Sequence, residues 1–271
     1  MERIDLSGCG IVIKGAGDLA SGVAHRLISA GFPLLMLELP RPMVVRRTVS
    51  FASAVFEGSI EVEGRQASLI GNISQVESCW DAGIIPVLVD PEGTSIRALK
   101  PQVLVDAVMA KRNTGTTIND APFVIGLGPG FTAGEDVDAV IETQRGHQLG
   151  RVIYTGCAEA DTGLPAKVQG YAAERLLRAP ESGVFTSYKD IGEMVQEGET
   201  VAMVNETPLY ANISGLLRGL LYTGVEVKKG VKAGDIDPRG KDIDWRTVSD
   251  KARAVGGGGL ESIMHFITRG G

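Results

Sequence analysis

The residues of this chain best suited to chemistry stand where apolar runs end in glycine or charge. Gly15-Ala16-Gly17-Asp18-Leu19-Ala20 is a G-x-G-x-x-A turn between the β-branched run 10–15 and a segment with Leu19, Val23 and Leu27 at helical spacing. Small residues there let the backbone approach a phosphate, and the helix amino-terminus supplies N–H groups and positive dipole. Glu38 closes the next apolar run about 21 residues after Gly17, where dinucleotide folds place the carboxylate that holds a ribose hydroxyl. Asp18 works against an anion, because a carboxylate repels a pyrophosphate unless a cation intervenes; the neighbouring anion-holding pair is Arg46-Arg47. The plainer alternative is that Gly15 and Gly17 only permit close helix-to-strand packing, with Glu38 solvated and the arginines opening a helix.

Further groups follow the same rule. Asp90 and Asp106 each end an apolar run, as expected of acids facing a crevice at the carboxyl edge of a parallel sheet, and Lys111 and Asn113 follow Asp106 closely. Gly128-Pro129-Gly130 opens a second glycine-rich loop, read here as the other wall of one site. Glu142-Thr143-Gln144-Arg145-Gly146-His147 gathers a carboxylate, a guanidinium and an imidazole, enough for anion binding and proton transfer near neutral pH. His147, Asp106 and Lys111 are thus the catalytic candidates. The cofactor-binding candidates are Gly15, Gly17, Asp18, Glu38, Arg46, Arg47, Gly128, Gly130, Glu142 and Arg145. Neither the three histidines nor the three cysteines have metal-ligand spacing, so no metal site is expected.

These groups require elements to position them. Runs at 10–15, 33–38, 84–90, 103–108, 123–128 and 139–143 read as buried strands, and with the helical spacing after Gly17 they predict a Rossmann-like α/β domain over residues 1–175. After Pro180 the chain repeats: Ser182, Gly183, Gly192, Val195 and Gly198 recur as Ser214, Gly215, Gly224, Val227 and Gly230, always 32 residues later. The expectation is a small duplicated all-β barrel-sandwich module over 176–240, with two interlocked halves. Residues 241–271 complete the chain as a helical tail, in which four glycines at 256–259 break two short helices.

Composition narrows the classes. A net charge of −6 carries no basic footprint for nucleic acid, and no window approaches the ~18 apolar residues of a membrane span. Cysteines without paired spacing suit a reducing compartment, so the sequence predicts a cytoplasmic protein, with a homo-oligomer open.

Several longer motifs carry a resemblance. Lys14 through Ala24, Val45-Arg46-Arg47-Thr48-Val49, Gly126 through Phe131, Ile141 through His147 and Gly234 through Arg239 together resemble the selenium-dependent molybdenum hydroxylase accessory-protein family, and more distantly the xanthine dehydrogenase maturation proteins. The resemblance implies a maturation factor that grips a molybdenum cofactor, its dinucleotide form or a pterin with glycine-rich backbone, Arg46, Arg47 and Arg145. It also implies a molybdenum hydroxylase client; that Cys9 and Cys157 would touch sulfur or selenium during transfer is an expectation from thiol chemistry alone. The 176–240 module is similar to biotinyl and lipoyl carrier modules, but no lysine lies between Lys189 and Lys228 to carry a prosthetic group. The alternative function is an NAD-dependent oxidoreductase using Gly15, Gly17 and Glu38, with His147 or Lys111 as proton donor.

Overall fold

The computed structural model describes residues 10–163, 165 and 167–269. The chain divides into two compact units. The first holds the chain up to Pro42, Ser50–Asp161 and the chain from Val248; the second holds Met43–Val49 and Thr162–Thr247.

The first unit runs β1 (Ile11–Lys14), α1 (Asp18–Ser29), β2 (Leu34–Glu38), α2 (Ala54–Glu57), β3 (Ser59–Val62), β4 (Arg65–Ile70), α3 (Val76–Asp81), β5 (Ile85–Val89), α4 (Thr94–Leu99), β6 (Val103–Asp106), β7 (Phe123–Leu127), β8 (Thr132–Ala133), β9 (Ala139–Ile141), β10 (Val152–Ile153) and β11 (Gly156–Cys157). Nine of these strands form one sheet in the order β10-β9-β7-β6-β1-β2-β5-β4-β3. Its centre is parallel and its strands are buried Val, Ile and Leu runs, as a sheet covered on both faces requires. The sheet is mixed rather than wholly parallel: β3 and β10 pair antiparallel at the two edges. The β3–β4 hairpin was not foreseen. Glu63 (φ +47°) and Gly64 (φ +75°) make its turn, both in the left-handed region that a tight hairpin needs.

The second unit contains β12 (Leu176–Arg178), β13 (Gly183–Ser187), β14 (Met194–Val195), β15 (Thr200–Val204), β16 (Thr207–Tyr210), β17 (Gly215–Leu220), β18 (Glu226–Val227) and β19 (Lys232–Asp237). They form two antiparallel sheets, β12-β19-β17-β14 and β16-β15-β13-β18. The 32-residue repeat is visible in the starts of the strands: β13, β14 and β15 correspond to β17, β18 and β19. Each half lends a strand to the other, because β18 pairs with β13 and β14 pairs with β17.

The chain then returns to the first unit as α5 (Asp250–Thr268), one helix of 19 residues. The expected break at 256–259 is absent, for a packing reason. A Cβ at Gly256 would meet Gly22 O of α1 at 2.6 Å, and one at Gly258 would meet Gly150 O at 2.1 Å. From the other side, a Cβ at Gly22 would lie 2.6 Å from Ala252. Glycines in a helix interior cost about 1 kcal/mol each relative to alanine. Here the close approach of α5 to α1 and to the Gly150 backbone offsets that cost. Ser249 caps the helix, its Oγ accepting the Ala252 N–H at 3.1 Å.

Candidate functional site at the carboxyl edge of the sheet

Strand order reverses at β1. The chain builds outward through β2 and β5 on one side, then returns to add β6, β7 and β9 on the other. Open α/β sheets bind ligands outside the carboxyl ends of strands at such a reversal. Here those ends belong to β1 and β6, where Lys14 and Asp106 are register partners. Asp106 is 1% exposed and is held by three donors. Thr116 Oγ1 donates to its Oδ2 at 2.6 Å, the Lys14 ammonium lies 3.3 Å from the same oxygen, and the Val108 N–H donates to Oδ1 at 3.1 Å. Lys14 Nζ also donates to Thr116 Oγ1 at 2.6 Å. A buried carboxylate is tolerated when it is paired and hydrogen-bonded in this way.

The Gly15–Gly17 turn sits directly above. Gly15 has φ +94° and approaches the end of β6 so closely that a Cβ would stand 3.0 Å from Ala107 O. Glu38 shapes this turn: its Oε2 accepts the Ala16 N–H at 2.8 Å and its Oε1 the Leu39 N–H at 2.7 Å. Burial pushes the Glu38 carboxyl above the ordinary glutamate value, and the two backbone N–H groups offset part of that rise. Glu38 is therefore built into the turn rather than extended toward a ribose.

The second glycine turn was expected to form the opposite wall of an open site; instead the loop leaving β6 packs against it. A Cβ at Gly128 would lie 3.4 Å from Met109 Cε and 2.6 Å from Thr143 Oγ1, and one at Gly130 would lie 2.6 Å from the Arg112 backbone. Both glycines serve close approach. Glu142 is buried and its two oxygens accept the N–H groups of Gln144 at 2.6 Å and Glu159 at 2.7 Å, which ties the β9 exit to the chain after β11.

Sequence reasoning passed over Lys251, on the first turn of α5. Its amine is held below the ordinary lysine value, first by burial and then by the Arg145 charge, against the opposing charges of Asp18, Asp161 and Glu142. Three predicted residues, Asp18, Glu142 and Arg145, thus act by their charge on an amine that no local motif announced. Arg145 is committed to Asp250 by a two-bond pair at 2.7 and 2.9 Å, and Lys111 to Asp161 at 2.5 Å.

The other expectations lie elsewhere. Arg46 and Arg47 belong to the second unit. Arg46 is buried and donates to Thr247 O at 3.1 Å, while Arg47 pairs with Asp190 and stacks over the Tyr222 ring. His147 lies in an exposed turn after β9. Asp90 accepts the Thr94 and Ser95 N–H groups and so starts α4. Its carboxyl is held below the ordinary aspartate value: burial, the largest single influence, raises it, but the Ser95 hydroxyl and N–H and the Thr94 N–H and hydroxyl together outweigh that rise. Cys157 is exposed beside Thr132 Oγ1, and Cys9 lies outside the described residues. Among the described residues no three His, Cys, Asp or Glu side chains cluster as metal ligands, and no helix is long and apolar enough to cross a membrane.

No protein-family model matches the chain. It is 50% identical over 260 residues to the uncharacterized protein YqeB of Escherichia coli (strain K12), a match that covers 96% of this chain and 48% of that protein. The chain therefore spans about half the length of the curated relative it matches. Among solved structures, a succinylglutamate desuccinylase/aspartoacylase from Rhodobacter sphaeroides is 16% identical with a TM-score of 0.27 over 85% of each chain. Another is the ectoine utilization protein EutE (DoeB) from Ruegeria pomeroyi, 14% identical with a TM-score of 0.25 over 85% of each chain. Likeness this slight carries no argument about the fold or activity of this chain. None of these matches is a molybdenum hydroxylase accessory protein or a nicotinamide oxidoreductase, so both expectations are withdrawn. The residues agree with the correction. Glu38 has turned both oxygens to the backbone, and within the second unit Arg46 is engaged by Thr247 and Arg47 by Asp190.

Proposed function

We propose that the first unit is a Rossmann-like binding domain that holds a phosphate-bearing small molecule, a nucleotide in the first instance, at the carboxyl ends of β1, β6 and β7. The observation that carries this reading is the coincidence of the strand-order reversal with the Gly15–Gly17 turn and the Lys14–Asp106–Thr116 cluster. Of the acids nearby, Asp18 on the first turn of α1 carries a charge that acts on Lys251, and three others have fixed partners. Asp106 is bonded to Thr116 and Lys14, Asp161 to Lys111, and Glu142 to two backbone N–H groups. A ligand anion at this edge meets the first-turn N–H groups of α1 and the Lys251 ammonium. In the same reading the second unit is a barrel-type duplicated module with a structural role.

The test is calorimetric titration of the protein with ATP, ADP, CTP and pyrophosphate, beside the Gly17→Asp variant. Aspartate is a good helix N-cap, so this variant keeps α1 while placing a negative charge at the anion site. The reading expects saturable binding that Gly17→Asp abolishes. Because the Lys251 amine loses its proton below the ordinary lysine value, affinity also falls as pH rises through that lowered value, and Lys251→Met flattens the dependence. Absence of binding by every probe, or equal binding by Gly17→Asp, refutes it.

A further inference from the structure

The connection from β6 to β7 is unusual for neighbouring parallel strands. Such crossovers are ordinarily helical, yet Ala107–Pro122 contains neither helix nor strand. Structureless loops of this length in compact domains are commonly binding loops or lids. This one is built in two parts. Its second part is tied down: Asn113 Oδ1 accepts the N–H groups of Gly115 and Thr116 at 2.9 and 2.8 Å, its Nδ2 donates to Thr116 O at 2.7 Å, and Thr116 is bonded to Asp106 and Lys14.

The first part is not. Met109–Arg112 makes no backbone-to-backbone hydrogen bond among the described residues. Met109 (φ +59°) and Lys111 (φ +62°) both adopt the left-handed region without being glycine. Strained positions of this kind persist where surroundings impose them, and they gather at ligand clamps and switches. What imposes them here is contact with both glycine turns: Val108 N would lie 3.3 Å from a Cβ at Gly15, Met109 Cε 3.4 Å from one at Gly128, and the Arg112 backbone 2.6 Å from one at Gly130. The tip is fastened by the Lys111–Asp161 ion pair, whose side chains are 59% and 38% exposed. Exposed pairs hold weakly, so this fastening is easily released.

We propose that Val108–Asn113 is a lid over the two glycine turns, anchored at its base by Thr116, Asp106 and Lys14 and latched at its tip by Lys111 and Asp161, opening to admit the phosphate-bearing ligand and closing over it. This rests on the binding site proposed above, but the latch itself is open to test without ligand. An exposed ion pair shifts an equilibrium by about two- to fivefold at most. Releasing it therefore raises the open population by that factor while leaving the base anchored.

Trypsin reads the opening directly, because Lys111 and Arg112 are its targets. Limited digestion of wild type and Asp161→Asn, with cleavage at 111–112 followed by mass spectrometry, is expected to run about two- to fivefold faster in the variant, with unchanged thermal unfolding. Lys111→Gln, which keeps the Arg112 site, should accelerate cleavage there to the same extent. Saturating ATP is expected to slow cleavage of wild type. Wild-type cleavage rates in both variants overturn the lid. So does ATP that binds by calorimetry yet leaves the rate unchanged. Accelerated cleavage in both variants together with no nucleotide binding would instead overturn the binding-site reading and leave the latch standing.

Discussion

Replacing Gly257 and Gly258 separately by alanine turns the packing of α5 into a measurement. A Cβ at Gly257 meets nothing within 4 Å, so Gly257→Ala gains only helix propensity, about 1 kcal/mol. A Cβ at Gly258 would fall 2.1 Å from Gly150 O and 2.9 Å from Ile141 Cγ2. The first contact is with backbone, which cannot rotate aside, so the upper part of the overpacking range applies, about 3 kcal/mol. Subtracting the same propensity gain leaves a net loss of about 2 kcal/mol. For a chain of this size 1 kcal/mol moves the midpoint by about 2–4 °C, so Gly257→Ala should rise by that amount and Gly258→Ala should fall by about twice as much. Differential scanning calorimetry, with helix content followed by circular dichroism, makes the comparison in the transition of the first unit. Equal shifts in the two variants would refute the inference that α5 is continuous and packed through its glycines.

Two further outcomes test the turn and the second unit. Glu38→Gln presents an amide donor to one of two backbone N–H groups and should cost about 1–3 kcal/mol, read by urea unfolding. Because burial raises the Glu38 carboxyl in the folded state, the wild-type protein binds more protons folded than unfolded above the ordinary glutamate value; its stability falls there as pH rises, and this decline should vanish in Glu38→Gln. In the second unit Asp237 is fully buried, bonded to Arg239 Nε at 2.9 Å and Nη2 at 2.8 Å, with Arg175 Nη2 at 3.6 Å. Burial acts to raise this carboxyl, yet the Arg239 hydrogen bonds and the arginine charges together hold it below the ordinary aspartate value. Its contribution is full above that value and lost as pH falls toward the folded one, so acid unfolding should be blunted in Asp237→Asn, which at neutral pH should lose about 1–3 kcal/mol, because the amide accepts fewer of the hydrogen bonds that Arg239 offers while Arg175 keeps Asp235.

What local pattern alone determines is considerable. Apolar runs ending in glycine or acid mark β1, β2, β5, β6 and β7 to within a residue or two, because a strand buried on both faces must be continuously apolar. The 32-residue recurrence marks the paired strands of the second unit, because each turn glycine has a φ that other residues adopt at a cost. The residues at the sheet edge, Gly15, Asp106, Gly128 and Glu142, were readable for the same reason: they stand where strands stop.

Only tertiary structure decided the rest, since those decisions lie between segments distant in sequence. Gly256 and Gly258 read as a break because an isolated helix has no use for them; Gly22 and Gly150, far away in the chain, turn them into a packing surface. Glu38 read as a ribose ligand until the Ala16 N–H, 22 residues earlier, claimed its carboxylate. Arg46 and Arg47 read as an anion-holding pair until Thr247 and Asp190, far along the chain, engaged them. Lys251 stands in a polar stretch without a motif, and it becomes a site residue only when α5 buries its amine within reach of the charges of Asp18, Glu142 and Asp161, which change what that amine can do.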